Sequence, residues 1–403
     1  MTEPGGLLQR RAPAGICLAL ALLAGCYADP AVTGALQREG EVPPPVSAAN
    51  RPKPEDEPAS CRLKTEPRPL IAGKHRPPAV PLPARPAKGE WYADPVYGSC
   101  VVRLTDHEHE PPEGFARNDY SRRQAFNADD TRILVYARNG YWHLYDADTL
   151  EHVKALDLGG GGVEPHWHPR DPELLYVVPN NGGMSLHVYN TRTGNRSEVA
   201  DFTDGLEIPG MPDADSLRDI WPDAARVWTK SEGSPSMDAR FWAFQVETED
   251  FSPLGLIGYD AREHRITGIY DFRTDGDGIG RPDHVSMSPK GNYIVASWNG
   301  SEVDCPSRFR LGTLDEPCGL MAFTRTFDKA VGLAARGPHS DIAIDSSGKE
   351  VIVISNYISG DVEMIALDDG DVTPLWKIYE NGYSTAMHVS GKAYEKPGWV
   401  LIS

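Results

Sequence analysis

The stretch from Tyr120 to Leu158 sets a pattern that the rest of the chain repeats. Four runs rich in β-branched and aromatic residues alternate with turns of Asn, Asp and Gly, which is typical of antiparallel strands joined by tight turns. Five related units begin near Val163, Ser236, His284, His339 and Met387. Repeated four-stranded units of roughly 40 residues predict an all-β fold, a β-propeller of four-stranded antiparallel blades.

The repeats also bear on the size of the ring. Five units are complete, and the sixth stops after two strands, on the apolar run from Trp399 to Ile402. A single strand, Cys100 to Thr105, precedes the first unit, and we expect it to complete the last blade and remove an open sheet edge. These features predict six visible units of a ring that has seven blades in a full-length chain. A six-bladed ring with an irregular last blade is the alternative.

The N-terminal residues have the pattern of a targeting segment. Arg10 and Arg11 precede a run of small and apolar residues that is too short to span a bilayer as a helix. The run ends in Leu-Ala-Gly-Cys26, which resembles the lipobox of bacterial lipoproteins. This resemblance implies that residues 1–25 are a signal peptide, that Cys26 is lipidated, and that the protein is anchored in the cell envelope, facing the periplasm or the cell surface. An ordinary signal peptide is the alternative.

Residues 26–90 are predicted to form a disordered tether. Thirteen of the 35 prolines lie between Glu41 and Glu90, among Glu, Lys, Arg and Ala. A segment of this composition buries too little apolar surface to offset its ordering entropy. The predicted propeller domain is therefore 91–403.

Charge and cysteine usage narrow the function classes. The formal net charge is −18 without a basic run, which argues against nucleic acid as a partner. An acidic glycan or an envelope protein is the expected partner, and the domain is expected to be a monomer. Six cysteines are present, and we predict a disulfide between Cys305 and Cys318, with a second one between Cys61 and Cys100. No Cys-x-x-Cys pair suggests a structural zinc site.

Histidines recur on the strands predicted to line the channel. His166, His284, His339 and His388 lie at even offsets from the turn residues of their units, so period-two strands would point them to one side, together with Asp341. Imidazole and carboxylate groups converging from neighbouring blades are suited to a divalent metal such as Mn²⁺ or Ca²⁺. We predict His284, His388, His166 and Asp341 as metal ligands. The alternative is that each histidine donates to a neighbouring carbonyl.

Three segments carry a resemblance to a known family. EPHWHPRDPELLYV, PDHVSMSPKGNYIVASW and GPHSDIAIDSSGKEVIVIS resemble blades of the oligogalacturonate-lyase-like propellers, within the wider TolB/WD40-like group. The resemblance implies a manganese-binding centre with a catalytic histidine and an arginine. His284 lies in the stretch that resembles a metal-binding blade, and His339 and Arg240 are the catalytic candidates, with Arg123 as a further arginine. The Gln-x-x-His-x-His motif of the family is absent, and His388 is its nearest remnant.

Two functions follow from these features. In the first, a lipid-anchored envelope propeller binds a ligand or a protein partner at its channel face. In the second, a metal-dependent polysaccharide lyase acts on uronates by β-elimination, which needs a cation near the carboxylate and a base for the neighbouring proton. The incomplete metal motif favours the first function. The loop with Asp275, Asp277 and Asp283 lacks the spacing of an EF-hand and is interpreted as an ordinary turn.

Overall fold

The computed structural model describes residues 84–93, 100–106, 108–111, 114, 116–137, 141–274, 280–298, 305–307, 310–378 and 388–402. The predictions for residues 1–25, for lipidated Cys26, for the tether up to residue 83 and for Cys61 lie outside these residues. Asp275 and Asp277 also lie outside them.

Five four-stranded sheets repeat along the chain, and in each sheet consecutive strands pair antiparallel. Blade 1 contains β3 (Ala116–Arg117), β4 (Arg132–Ala137), β5 (Trp142–Asp146) and β6 (His152–Leu156). Blade 2 contains β7 (Glu164–Trp167), β8 (Leu174–Val178), β9 (Ser185–Asn190) and β10 (Arg196–Asp201). Blade 3 contains β11 (Arg226–Trp228), β12 (Phe241–Glu247), β13 (Pro253–Asp260) and β14 (Arg265–Asp271). Blade 4 contains β15 (His284–Met287), β16 (Tyr293–Ser297), β17 (Leu320–Thr324) and β18 (Ala330–Ala334). Blade 5 contains β19 (Ser340–Ile344), β20 (Glu350–Asn356), β21 (Asp361–Ala366) and β22 (Val372–Lys377).

Two further sheets have two strands each. β1 (Trp91–Ala93) pairs with β2 (Cys100–Val102), and β23 (Val389–Ser390) pairs with β24 (Leu401–Ile402). The pair β23–β24 corresponds to the sixth sequence unit. The prediction of an all-β propeller with four-stranded antiparallel blades is confirmed, with five such blades among the described residues. The seven-blade count stays a prediction.

In blades 2, 4 and 5 the first strand is more buried than the last, which identifies it as the innermost strand. β15 and β19 are buried along their whole length, whereas the last strand of blade 5, β22, is exposed at every position. The hydrophobic core lies between blades: Tyr176 of blade 2 packs with Trp242 and Phe244 of blade 3. Other clusters join blades 1 and 2, blades 3 and 4, and blades 4 and 5. Face-to-face packing of sheets thus buries apolar side chains between neighbouring blades.

The turn between the third and fourth strands has the same local chemistry in three blades. Asp146, Asn190 and Asp260 each end a third strand, and each side-chain oxygen accepts from the backbone N–H groups two and three residues later. Asp and Asn favour such turns because their short polar side chains replace a backbone acceptor. These residues fix the hairpin positions that the sequence repeats indicated.

Three strand positions differ from the predictions. The run from Tyr120 to Phe126 was expected to be the first strand of blade 1, but β3 lies earlier and residues 120–123 form a bend. The run pairs with β4 only through an isolated bridge from Phe126 to Ile133. β11 lies ahead of the third sequence unit, which was predicted to begin near Ser236, and its three residues pair with the end of β12. β2 pairs with β1, although the sequence predicted that it completes the last blade.

The connection from blade 2 to blade 3 contains one short helix, α1 (Leu217–Ile220). Ser216 and Asp219 form a capping box that satisfies donors at its first turn. Among the described residues, no helix has both the length and the apolar character needed to cross a bilayer. The predicted disulfide between Cys305 and Cys318 is present.

Candidate functional site

Charged side chains from separate blades meet where the inner strands begin. The contributing segments are the bend at residues 120–123, the first residues of β7, β15 and β19, and residues 229–233 after β11. The bend lies where a regular strand was predicted, and this departure carries Arg122 and Arg123 inward, where both are buried. We refer to this group of segments as the central cluster.

Arg122 connects three parts of the chain. Its Nε donates to the backbone oxygen of Ser340 at 2.5 Å, and its Nη1 lies 2.5 Å from Glu232 Oε2 and 2.7 Å from His284 Nε2. Its Nη2 has no hydrogen-bond partner among the described residues. Arg122 is 4% exposed, so the charge of its guanidinium depends on Glu232 for compensation.

His284 faces two carboxylates on its other side. Its Nδ1 lies 3.4 Å from Asp283 Oδ2 and 3.6 Å from Glu232 Oε2. Burial, and next the charge of Arg122, lower the pKa of His284 to about 4, so the ring is neutral at pH 7. A neutral ring with the proton on Nδ1 donates toward Asp283 and accepts from Arg122 at Nε2.

The pKa values of the Asp283 and Glu232 carboxyl groups shift in opposite directions. The hydrogen bond from His284 lowers the pKa of Asp283 to about 2. Burial raises the pKa of Glu232 from its ordinary value, against the opposing charge of Arg122. Lys230 Nζ lies 3.5 Å from Asp283 Oδ1 and adds a second cation at this side of the cluster.

Flat rings form the partly exposed rim of the central cluster. His339 and His388 stack with their ring centroids 4.4 Å apart, and Tyr120 meets His388 edge to face at 5.5 Å. Burial, and next His339, lower the pKa of His388 below its ordinary value. The rim therefore offers a neutral base at pH 7 beside an aromatic surface.

His166 and Asp341 have protein partners of their own. The imidazole of His166 contacts Arg123 Nη1, which lies 3.0 Å from His166 Nδ1. Arg123 Nη2 donates to the backbone oxygen of Ser231 at 2.7 Å. Asp341 accepts from the ammonium of Lys392 at 2.9 Å. Their predicted role as metal ligands stays a prediction.

Arg240 lies at a different place in the fold. It immediately precedes β12, at the far end of the connection that follows β11, whereas His284 opens the first strand of blade 4. Its guanidinium pairs with Asp260, the last residue of β13. The arginines that contact the predicted histidines are Arg122 and Arg123.

Two groups of side chains among the described residues have the spacing of metal ligands. Glu232, Asp283 and His284 offer three ligand atoms within 4.8 Å of one another, in the central cluster. Asp106, Glu108 and His109 form the second group at the surface. The histidine that was predicted from the sequence is thus grouped with two carboxylates.

Sequence reasoning missed several members of the central cluster. Glu232 and Lys230 precede the third sequence unit and were not among the candidate residues. Tyr120 and Arg122 were placed in the first strand-like run of the unit from Tyr120 to Leu158. The one available signal was the adjacent pair Arg122 and Arg123 inside an apolar repeat, where buried charge is rare without a partner.

No protein-family model matches the chain, and no curated protein is significantly similar to it. Among solved structures, the chain is similar to an oligogalacturonate lyase in complex with manganese, at 14% identity and a TM-score of 0.46, over 72% of this chain and 74% of that chain. It is also similar to an oligogalacturonate lyase from Vibrio parahaemolyticus, at 12% identity and a TM-score of 0.41, over 72% and 87% of the two chains. A third similar structure is the Cps50 β-propeller domain of Myceliophteria thermophila, at 10% identity and a TM-score of 0.36, over 66% and 75%. These similarities are too distant to assign site residues, so the propeller assignment rests on the strands and blades of this chain.

Proposed function

We propose that this protein is a lipid-anchored β-propeller of the bacterial cell envelope that binds an acidic saccharide at the central cluster. The observation that supports this proposal is the state of Arg122. Its guanidinium is buried and held from three sides, while Nη2 is without a hydrogen-bond partner among the described residues. A fixed guanidinium with an available donor suits a carboxylate ligand.

The ring surfaces at the rim of the central cluster favour a sugar as the ligand over a small inorganic anion. The stacked pair His339 and His388, with Tyr120 at its edge, offers a flat surface beside the guanidinium. Binding sites commonly combine such ring surfaces with a few placed polar groups. Because the chain carries a net charge of −18, we expect binding to depend on these short contacts rather than on long-range attraction.

The test is calorimetric titration of the purified full chain with trigalacturonate. We expect binding by the wild type and at least about tenfold weaker binding by Arg122→Lys, because an ammonium cannot reproduce the forked donors of a guanidinium. The control is Arg132→Lys, which alters an ion pair with Asp146 in blade 1. An absence of binding by the wild type, or equal affinity of the Arg122 variant, would overturn the proposal.

A second candidate function is a metal-dependent uronate lyase, and the group of Glu232, Asp283 and His284 favours it. The separations of 3.4 and 3.6 Å from His284 Nδ1 to the carboxylate oxygens match neighbouring ligands around a cation at roughly 2.1 Å. A cation there would replace the Nδ1 proton, and the ring would carry its N–H at Nε2 and no longer accept from Arg122. The mixed nitrogen and oxygen donor set fits Mn²⁺ or Zn²⁺. A bound divalent cation would neutralise the substrate carboxylate.

The side chains supply the remaining groups for β-elimination. His388, neutral at pH 7, would accept the proton from the carbon that bears the carboxylate. The electron pair of that C–H bond forms a carbon–carbon double bond, and the C–O bond to the 4-oxygen breaks. The leaving oxygen takes up a proton, for which the hydroxyl of Tyr120 is the proposed donor, since its ring meets that of His388 edge to face at 5.5 Å.

The two candidates are separated by elemental analysis and by the ultraviolet absorbance of an unsaturated uronate product. Near-stoichiometric metal in the wild type, its loss in His284→Ala, and product formation from polygalacturonate support the lyase. Binding of trigalacturonate without metal and without product supports the binding protein. His339→Ala tests the other rim histidine in the same assays.

A further inference from the structure

A strained segment of blade 3 carries two charged side chains of the central cluster. The ladder between β11 and β12 ends at Trp228, and residues 229–233, the strained segment, follow. Within it, Lys230 and Ser231 have φ angles of 58° and 70°. In the described part of the chain, no other two adjacent non-glycine residues both have positive φ. Such a conformation persists only where surrounding contacts enforce it.

A carboxylate from the neighbouring blade provides those contacts. Glu164 is the first residue of β7 in blade 2 and is 0% exposed. One of its oxygens accepts from the N–H of Thr229 at 3.0 Å and from the hydroxyl of Thr229 at 2.9 Å. The other oxygen accepts from the N–H of Ser231. A single side chain therefore satisfies three donors of a segment that has left the strand ladder, two of them backbone N–H groups.

Blade 4 confines the strained segment from the other side. The N–H of Val285 donates to the backbone oxygen of Thr229 at 3.3 Å. A Cβ at Gly233 would lie 1.8 Å from the backbone oxygen of Val285, so only glycine fits there. The strained segment thus packs between blades 2 and 4, and its hydrogen bonds to blade 2 are made by Glu164.

We propose that Glu164 is a positioning residue that holds the strained segment so that Lys230 and Glu232 enter the central cluster. Lys230 pairs with Asp283, and Glu232 compensates the buried guanidinium of Arg122. Glu164 acts through the backbone of the strained segment and does not itself contact the ligand. The effect on affinity rests on the proposed function, whereas the effect on the strained segment does not.

The first arm of the test uses Glu164→Gln and needs no ligand. Glutamine keeps the shape and one acceptor, but its amide N–H₂ opposes either Ser231 N–H or the two donors of Thr229. We expect amide hydrogen exchange to accelerate at least tenfold within residues 229–233 and to stay unchanged in blades 1 and 5. Unchanged exchange in the strained segment would overturn the proposal. If Glu164→Gln does not fold, Thr229→Val removes one of the three donors and serves as the milder variant.

The second arm measures the affinity for trigalacturonate. We expect Glu164→Gln to bind at least tenfold more weakly, and Ser231→Gly in the same chain to restore part of the affinity, because glycine adopts positive φ without strain. The matched control is Asp260→Asn, another carboxylate that is 0% exposed, at the opposite end of blade 3. We expect this control to lose stability and keep its affinity.

The exchange and affinity measurements distinguish a failure of the proposed ligand from a failure of the proposed role of Glu164. A wild type that binds no trigalacturonate overturns the proposed ligand, while the exchange arm still decides whether Glu164 holds the strained segment. Faster exchange with unchanged affinity would overturn the positioning role. Equal losses of affinity in Glu164→Gln and Asp260→Asn would do the same, since they would indicate a general effect of stability.

Discussion

At the scale of single residues, the central cluster depends on a histidine that stays neutral. Burial, and next Arg122, lower the pKa of His284 to about 4, and the neutral ring accepts from Arg122 at Nε2. Protonation would remove that acceptor and place two cations side by side. We therefore expect the geometry of the cluster to persist at neutral pH and to be lost at strongly acidic pH.

A second buried histidine allows a clean test of acid sensitivity. His168 Nδ1 accepts from the N–H groups of Arg170 and Asp171, and burial lowers the pKa of His168 to about 4. In the unfolded chain His168 takes up a proton near pH 6.5, whereas in the folded chain it takes up a proton only near pH 4. Stability from this residue is therefore lost as the pH falls between these values.

The predicted variant is His168→Asn, whose side-chain oxygen can replace the Nδ1 acceptor without titrating. We expect the wild type to lose about 2 kcal/mol more unfolding free energy than the variant between pH 7 and pH 5. Urea denaturation at both pH values measures the difference. Parallel losses in the two proteins would contradict the assigned pKa.

At the scale of elements, short departures from regular structure build the site. The bend at residues 120–123 replaces a predicted strand and delivers Arg122, and the strained segment delivers Glu232. Regular strands point alternate side chains to opposite faces of a sheet, so an undistorted strand would send adjacent residues such as Arg122 and Arg123 to opposite faces. The cluster therefore combines the first residues of regular strands with two segments whose backbone is not strand.

One prediction concerns the link between blade 5 and β23. Asp341 is 2% exposed at its side chain, Lys392 is 10% exposed, and Asp341 also accepts from the N–H of Gly391 at 2.7 Å. We expect Asp341→Asn to lower the unfolding free energy by about 3 kcal/mol or more, because it leaves the Lys392 charge buried without a partner.

The companion variant is Asp341→Asn with Lys392→Met, which removes both charges. We expect it to recover much of the lost stability, as judged from thermal and urea denaturation. Additive losses in the double variant would contradict a direct pair.

A further prediction concerns the disulfide of blade 4. Cys305 and Cys318 close a loop with a sequence separation of 13. Loss of a link of this size is expected to cost about 3 kcal/mol. We expect Cys305→Ser with Cys318→Ser to show a correspondingly lower urea midpoint, and an unchanged midpoint would indicate that the link does not constrain the unfolded chain.

At the scale of the whole molecule, the blades provide rigid walls around a polar centre. Apolar clusters lie between successive blades, and a further cluster joins blade 5 to β23–β24 through Val353, Val362 and Val389. The buried strands hold the first residues of β7, β15 and β19 at fixed separations. Preorganised polar groups of this kind are what a binding or catalytic site requires.

The predicted lipid anchor is tested at this scale. We expect the wild type to fractionate with membranes and to incorporate labelled fatty acid, because one or more acyl chains at Cys26 would partition into the bilayer. Cys26→Ser should lose the label and move to the soluble fraction. A variant that stays in the membrane fraction would favour another mode of attachment.

The sequence by itself determined the class of fold, most strand positions and the Cys305–Cys318 disulfide. Strand period and turn chemistry are local properties, and residues such as Asp146 and Asn190 satisfy backbone groups only two and three positions away. Repetition of these local signals along the chain predicts blades, since each unit buries its apolar face only against its neighbours.

Only the tertiary structure decided which side chains meet. Arg122 contacts Glu232, His284 and Ser340 across separations of 110, 162 and 218 residues. No local pattern encodes such contacts, because they depend on how the blades close and on two segments that leave regular strand geometry. The histidine was visible in the sequence, whereas its carboxylate and guanidinium partners became visible only when the folded chain brought them together.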